Sequence, residues 1–239
     1  MVEAIESEFL PVLVYNNRAG IDSELLREFG EPSWNYPVIR FLDAKKQDII
    51  PRRDRIWTLE GVAGRMLEAL SAANRLSPKY LEALAGVEVA KEPAEAAFAM
   101  FCYWTGEYRL GGLHGVITTE AGWLAGREVT RVVWDRSVLR FDELLAEAVK
   151  YDCADAVFTQ DPRDAEVAAN GRLRVGRLDE SYRHAKVSDQ KRQISGTPFE
   201  KLNLSPVQAT KVNALARTNP RAALEWLSPQ QLTAISKLL

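Results

Sequence analysis

The sequence predicts an α/β protein, α+β in the grouping of its strands, built from more than one module. Short β-branched apolar runs alternate with amphipathic helical stretches along most of the 239 residues. Proline and charge clusters interrupt that alternation near residues 89–95, and the text turns polar and basic after about residue 170. The composition, 46% hydrophobic and 27% charged, is enough for a packed core without staples. With 31 basic and 33 acidic residues the net charge is -2, so bulk charge points neither to nucleic acid nor to an anionic membrane as partner. No apolar run approaches the roughly 18 residues of a membrane span. Met1–Leu10 lacks the basic end and apolar core of a signal peptide, and a cytoplasmic protein is expected.

The first module, residues 1–88, reads strand, helix, strand, strand, helix. "FLPVLVYNN" is apolar and β-branched, "DSELLREFG" carries an Asp cap and a terminal Gly, and "PVIRFLDA" alternates before "KKQDIIP". In "TLEGVAGRMLEALSAANR" the residues Val62, Met66, Leu67 and Leu70 fall on one helical face. "LSPKYLEALAG" opens with Ser77 as cap and Pro78 at the first helical position, a start that recurs at Leu204 and Leu227.

The second module, residues 94–170, reads strand "AAFAMFC", helix "YWTGEYRLGG", strands "GVITTEAGWL" and "EVTRVVWD", helix "RFDELLAEAVKY", strand "DAVFTQ" and helix "PRDAEVAAN". Residues 171–239 read as an extended arm lying over the body, followed by two short helices.

Chemistry concentrates at "AFAMFCYWTGEYRLGGLHGV". Cys102 stands where a strand ends and a helix begins, and unpaired amides at a helix start stabilise a thiolate. Tyr103 and Trp104 follow it as walls for an apolar or sulfur-bearing group, and Glu128 opens a later strand as a potential proton donor. The chain has two cysteines, too few for a disulfide framework. His114 and His184 have no neighbouring ligand spacing, so no metal site is expected of them.

The stretch "FCYWTGEYRLGGLHGVITTEAGWLAGREVTRVVWDRSVLRFDELL" resembles the A-type peptide methionine sulfoxide reductases. Phe101-Cys102-Tyr103-Trp104 stands at the family's Gly-Cys-Phe-Trp, "HGVITTEAGW" at its next strand, and Glu128 with "VVWD" at the third. "DAVFTQDPRDAEVA" continues the likeness, which spans about 94–170 in a shortened, divergent form.

This resemblance implies a ferredoxin-like reductase module and a peptide-methionine (S)-S-oxide reductase-like oxidoreductase. It makes Cys102 the nucleophile, Glu128 the acid, and Tyr103, Trp104 and Trp123 the substrate pocket. Oxidised methionine or a related sulfur compound is the implied substrate, a thioredoxin-like protein the implied reductant, and no cofactor is expected. The loop and the "ND.GTQYRS" segment that carry the family's pocket tyrosines and aspartate have no counterpart, and the alignment sets Cys153 where the second tyrosine would stand. Two thiols at one pocket imply a resolving pair or a two-coordinate clamp for a soft ion such as Cu(I). An interaction scaffold, with the basic arm from Arg172 to Lys201 gripping a partner, is the third reading.

Residues 9–50 also look like the second half of a thioredoxin fold, with Tyr36–Pro37 as the expected cis-proline turn but without a preceding Cys-x-x-Cys.

Overall fold

The computed structural model describes residues 1–31 and 37–237. They form two compact units, Met1–Ala85 and Gly86–Leu239.

The first unit holds helices α1 (Val2–Glu8) and α2 (Ile21–Glu28), strands β1 (Val38–Ile39) and β2 (Arg53–Asp54), and helices α3 (Leu59–Ala72) and α4 (Lys79–Ala85). Thr58 caps α3 by accepting the Gly61 amide, and Ala63, Met66, Ala69 and Leu70 bury one face of α3 against Phe41, Ile50 and Leu81. The strand expected over "FLPVLVYNN" is absent: none of its residues joins a sheet, a turn falls at Asn16–Asn17, and Leu10, Val12 and Leu13 are exposed. β-branched composition favours a strand only where a neighbour supplies a ladder, and Pro11 withdraws one donor from any such ladder. The β-structure between β1 and β2 is a two-residue antiparallel ribbon, which gives the thioredoxin-like reading no support. Tyr36, and with it the expected cis turn, lies outside the described residues.

The second unit is α+β with a six-stranded mixed sheet. Its elements run β3 (Pro93–Ala99), α5 (Tyr103–Gly111), β4 (Val116–Leu124), β5 (Arg127–Asp135), α6 (Phe141–Lys150), β6 (Ala156–Thr159), α7 (Pro162–Asn170), β7 (Arg174–Gly176) and β8 (Arg183–His184), then α8 (Pro206–Leu215), α9 (Pro220–Leu224) and α10 (Pro229–Ser236). The order β7-β6-β3-β5-β4-β8 contains the antiparallel β6-β3-β5-β4 core of a ferredoxin-like split βαβ.

Strand alternation divides the two faces. Ala96, Phe98, Val132 and Trp134 point to the helices, where Leu110, Leu144 and Ala148 complete a fully buried core. Each large apolar side chain so buried contributes about 1.5–3 kcal/mol. Ala97, Ala99 and Val129 point the other way, and there the arm covers them with Leu178 and Tyr182. The arm thus supplies both outer strands, β7 parallel to β6 and β8 antiparallel to β4, with residues 177–182 crossing between them. Gly122 permits the crossing, because a Cβ there would lie 2.5 Å from the Tyr182 ring.

Three helices, not two, close the chain. Ser205 and Ser228 cap α8 and α10 in capping boxes with Pro at the helix start, as the recurring "LSP" predicts, and Asn219–Pro220 starts α9 in the same manner.

Candidate functional site

At the carboxyl end of β3 the Met100 amide donates to the Glu128 carbonyl (3.2 Å) and the Asp155 amide to the Ala99 carbonyl (2.7 Å). The chain turns there through Phe101, which is almost fully exposed, into Cys102 at φ -143° and ψ 113°. Cys102 is the N-cap of α5: its carbonyl accepts the Thr105 amide at 3.0 Å while its free, half-buried thiol caps nothing. The side chain that does satisfy this helix start is Glu128, whose Oε2 accepts the Tyr103 amide at 2.9 Å. A thiol and a carboxylate therefore share the positive end of one helix.

Glu128 reaches that position because it opens β5 on the helix face, two residues before Thr130, whose hydroxyl donates to the Tyr103 carbonyl at 3.0 Å. Across the ladder Glu128 stands opposite Trp123. The Tyr103 ring is held between two indoles, with centroids 6.0 Å from Trp104 and 5.9 Å from Trp123, both edge to face. Burial, followed by the charges of Asp189, Glu128 and Cys102, pushes the Tyr103 phenol above its usual range. Gly106 brings α5 down onto the sheet, since a Cβ there would meet Thr130 Oγ1 at 2.2 Å and Met100 Sδ at 2.5 Å.

The arm builds the remaining wall. Trp104 Nε1 donates to the Asp189 carbonyl at 2.8 Å, and Gln190 brackets the Ala121 backbone with two bonds, of 3.0 and 2.8 Å. Lys191 then enters an ion pair with Glu107, a fully buried residue one turn after Tyr103, which also accepts the Lys191 amide at 2.7 Å. Burial drives the Glu107 carboxyl upward while the Lys191 ammonium opposes it. Glu107, Asp189, Gln190 and Lys191 were invisible to pattern reading. The one available signal was the four-residue spacing from Tyr103, which puts Glu107 on the packed face of α5.

Cys153 lies in the core. It follows α6, its amide donates to the Ala148 carbonyl at 2.7 Å, and its Sγ sits 3.3 Å from the Tyr151 carbonyl. It has no solvent exposure, and burial pushes its thiol up to about 11, with Arg109 opposing and the charges of Asp152 and Cys102 adding smaller upward pushes. Since Ala99 pairs with Ala156, Cys102 comes three residues after the end of β3 and Cys153 three residues before the start of β6. Both thiols are thus at the same end of neighbouring strands, one at the surface and one beneath it. Among the described residues no cluster of three or more His, Cys, Asp or Glu is placed to hold a metal ion.

A separate open groove of about 600 Å³ lies at the other end of β3, lined by Glu92, Glu95, Arg136, Asp161 and Arg163 among others. At about 3.3 Å per residue the length of β3 separates it from Cys102 by roughly 20 Å.

No protein-family model matches the chain, and neither does any curated protein. Among solved structures the chain is similar to methionine sulfoxide reductase A of Corynebacterium diphtheriae. That likeness has a TM-score of 0.37 and 19% sequence identity, over 44% of this chain and 76% of the other. It is a distant resemblance of fold. No helix among the described residues is long and apolar enough to cross a membrane.

Proposed function

We propose that the second unit is a thiol-dependent oxidoreductase that reduces methionine (S)-S-oxide or a closely related sulfoxide, with Cys102 as nucleophile and Glu128 as proton donor. The observation that carries this reading is the shared helix start: the Glu128 carboxylate accepts the Tyr103 amide, the first of α5, and Cys102 is the N-cap residue of that same helix. Tyr103, Trp104 and Trp123 form the aromatic wall against which the methyl group of the sulfoxide packs.

In the reaction the Cys102 thiolate attacks the sulfoxide sulfur, and the oxygen takes up a proton held by Glu128. Oxygen transfer leaves the thioether and a sulfenic acid at Cys102, so the substrate sulfur is reduced by two electrons and the cysteine sulfur oxidised by two. Two electrons from a thioredoxin-like dithiol then restore the thiol and release water. Cys153 is the candidate resolving thiol, but it is protonated and enclosed, and it can condense with Cys102 only if the segment after α6 opens. Such a cycle operates in a reducing compartment, as the expected cytoplasmic location would provide.

The arrangement of both thiols at one end of the sheet also favours a second reading, a two-coordinate Cu(I) clamp. The two readings are separated by steady-state reduction of a blocked methionine S-sulfoxide with dithiothreitol, alongside Cu(I) titration. A reductase loses turnover in Cys102→Ser and retains it, at least with an external dithiol, in Cys153→Ser. Stoichiometric Cu(I) binding that needs both thiols, without turnover, would replace the reductase reading by the clamp.

A further inference from the structure

The aromatic wall beside Cys102 is rimmed by cations that, among the described residues, form no ion pair. Arg183 of β8 stands directly opposite Trp123 in the β4–β8 ladder, so its side chain leaves the sheet on the helix face together with those of Trp123 and Glu128. Arg192, immediately after the buried Lys191, holds its guanidinium 5.3 Å from the centre of the Trp104 ring. Both arginines are exposed, and among the described residues neither guanidinium has an ion-pair or hydrogen-bond partner. The contrast with their neighbours is informative, because Arg127, Arg131, Arg136 and Lys191 are all paired with carboxylates. The Lys186 side chain of the same segment is exposed and, among the described residues, makes no ion pair either.

The carboxylates on this face do not cancel that charge. Glu107 is consumed by Lys191, and Glu128 accepts from the start of α5. Asp189 is a further carboxylate there, and Glu200, whose carboxyl is held low chiefly by the Gly196 amide, lies near enough to Arg192 to feel its charge without forming an ion pair with it, so among the described residues Arg183, Lys186 and Arg192 form no ion pair. Each of the two arginines flanks one of the two indoles that grip Tyr103, so a group lying along the wall meets a guanidinium at either end. Guanidinium recognises a carboxylate through paired donors, and near an aromatic face it is more weakly hydrated than an ammonium and easier to engage.

We infer that Arg183 and Arg192 are specificity-determining residues that select sulfoxides carrying a carboxylate near the oxidised sulfur. The inference rests on the reductase reading of Cys102 and adds to it a substrate class, the anionic sulfoxide. The carboxylate has two possible sources, the main-chain carboxylate of free methionine sulfoxide or the acidic side chains flanking an oxidised methionine in a peptide.

The test compares kcat/KM for four S-sulfoxides at low ionic strength: free methionine sulfoxide, its N-acetyl amide, and peptides in which the oxidised methionine is flanked by aspartates or by lysines. The wild type is set beside Arg183→Gln, Arg192→Gln and the double variant, with fluorescence of Trp104 and Trp123 in Cys102→Ser reporting binding without chemistry. The aspartate-flanked peptide should exceed the lysine-flanked one by roughly tenfold, as expected for two partly exposed charge contacts, and the double variant should remove most of that ratio while leaving the neutral amide within about threefold. A free amino acid favoured over its amide by the same factor, with flanking aspartates indifferent, assigns the small molecule as the source. Equal kcat/KM for acidic, neutral and basic substrates overturns the inference and leaves the reductase reading standing. Binding of the aspartate peptide, sensitive to both arginines but without reduction by the wild type, overturns the reductase reading instead. Neither binding nor reduction overturns both.

Discussion

Glu128 accepts the backbone amide of Tyr103 at 2.9 Å, and this bond ties the start of β5 to the start of α5. One carboxylate thereby performs a structural task, satisfying an orphan donor of the helix, at the place where the proposed reaction calls for a proton donor beside Cys102. The two roles separate on substitution. Glu128→Gln keeps an acceptor oxygen for the Tyr103 amide, so its unfolding free energy should stay within about 1 kcal/mol of wild type, while turnover falls by about 10²–10⁴ through loss of general-acid catalysis. Turnover within threefold of wild type would remove Glu128 from the chemistry.

The thiols should differ in reactivity because one is half exposed and the other is enclosed with its thiol pushed up to about 11. Iodoacetamide at pH 8 is expected to label Cys102 alone in the folded protein and both residues in denaturant. Peptide mapping by mass spectrometry reads this directly. Rapid labelling of Cys153 in the native state would mean that the segment after α6 opens readily, which would strengthen its assignment as resolving thiol.

The arm is held on the body by an ion pair whose carboxylate has no access to water. Removing one partner leaves the other buried and uncompensated, so Glu107→Gln or Lys191→Met should cost about 3–5 kcal/mol in urea unfolding. The double change Glu107→Leu with Lys191→Met should recover much of that loss. Since Asp189 and its bond to Trp104 lie two residues before Lys191, the single variants should also shift the tryptophan emission. A loss below about 1 kcal/mol with unchanged emission would show that the arm is held by other contacts.

Asp135 closes β5 with three amides converging on its carboxylate, from Lys91 and Ser137 at 2.9 Å and Glu92 at 3.1 Å. Burial pushes its carboxyl up, but these amides outweigh burial and hold it below the usual aspartate range. A depressed folded value means that the unfolded chain binds more protons in the window between the two values, so the contribution is present above about pH 3.9 and is lost as pH falls through the folded value. Asp135→Asn should therefore lower stability at pH 7 by about 1.5–3 kcal/mol, and the gap to wild type should close in strong acid. A gap independent of pH would contradict this account.

Much of the second unit was legible in the sequence. The segments of β3 to β6 and α5 to α7 carry clear periods of two or of about 3.6, and the Pro-led helix starts at Ser205 and Ser228 announce themselves chemically. Cys102, Glu128, Trp104 and Trp123 were legible through their flanking pattern, and the structure sets them around one helix start. The arm was not, because β7 (Arg-Val-Gly) and β8 (Arg-His) are only three and two residues long and owe their existence to distant partners, with no periodicity of their own. Nor was the grip of Glu107 on Lys191, made across 84 residues of chain. "FLPVLVYNN" shows the reverse error, a strand-like composition without a strand to pair with.

The most direct test of the central claim is a single turnover: fully reduced protein mixed with one equivalent of a blocked methionine S-sulfoxide, quenched and analysed for methionine and for the state of each cysteine. The account predicts one methionine per chain with Cys102 oxidised, as sulfenic acid or as a disulfide to Cys153, and no product in Cys102→Ser. Unchanged sulfoxide with both thiols still free would contradict it.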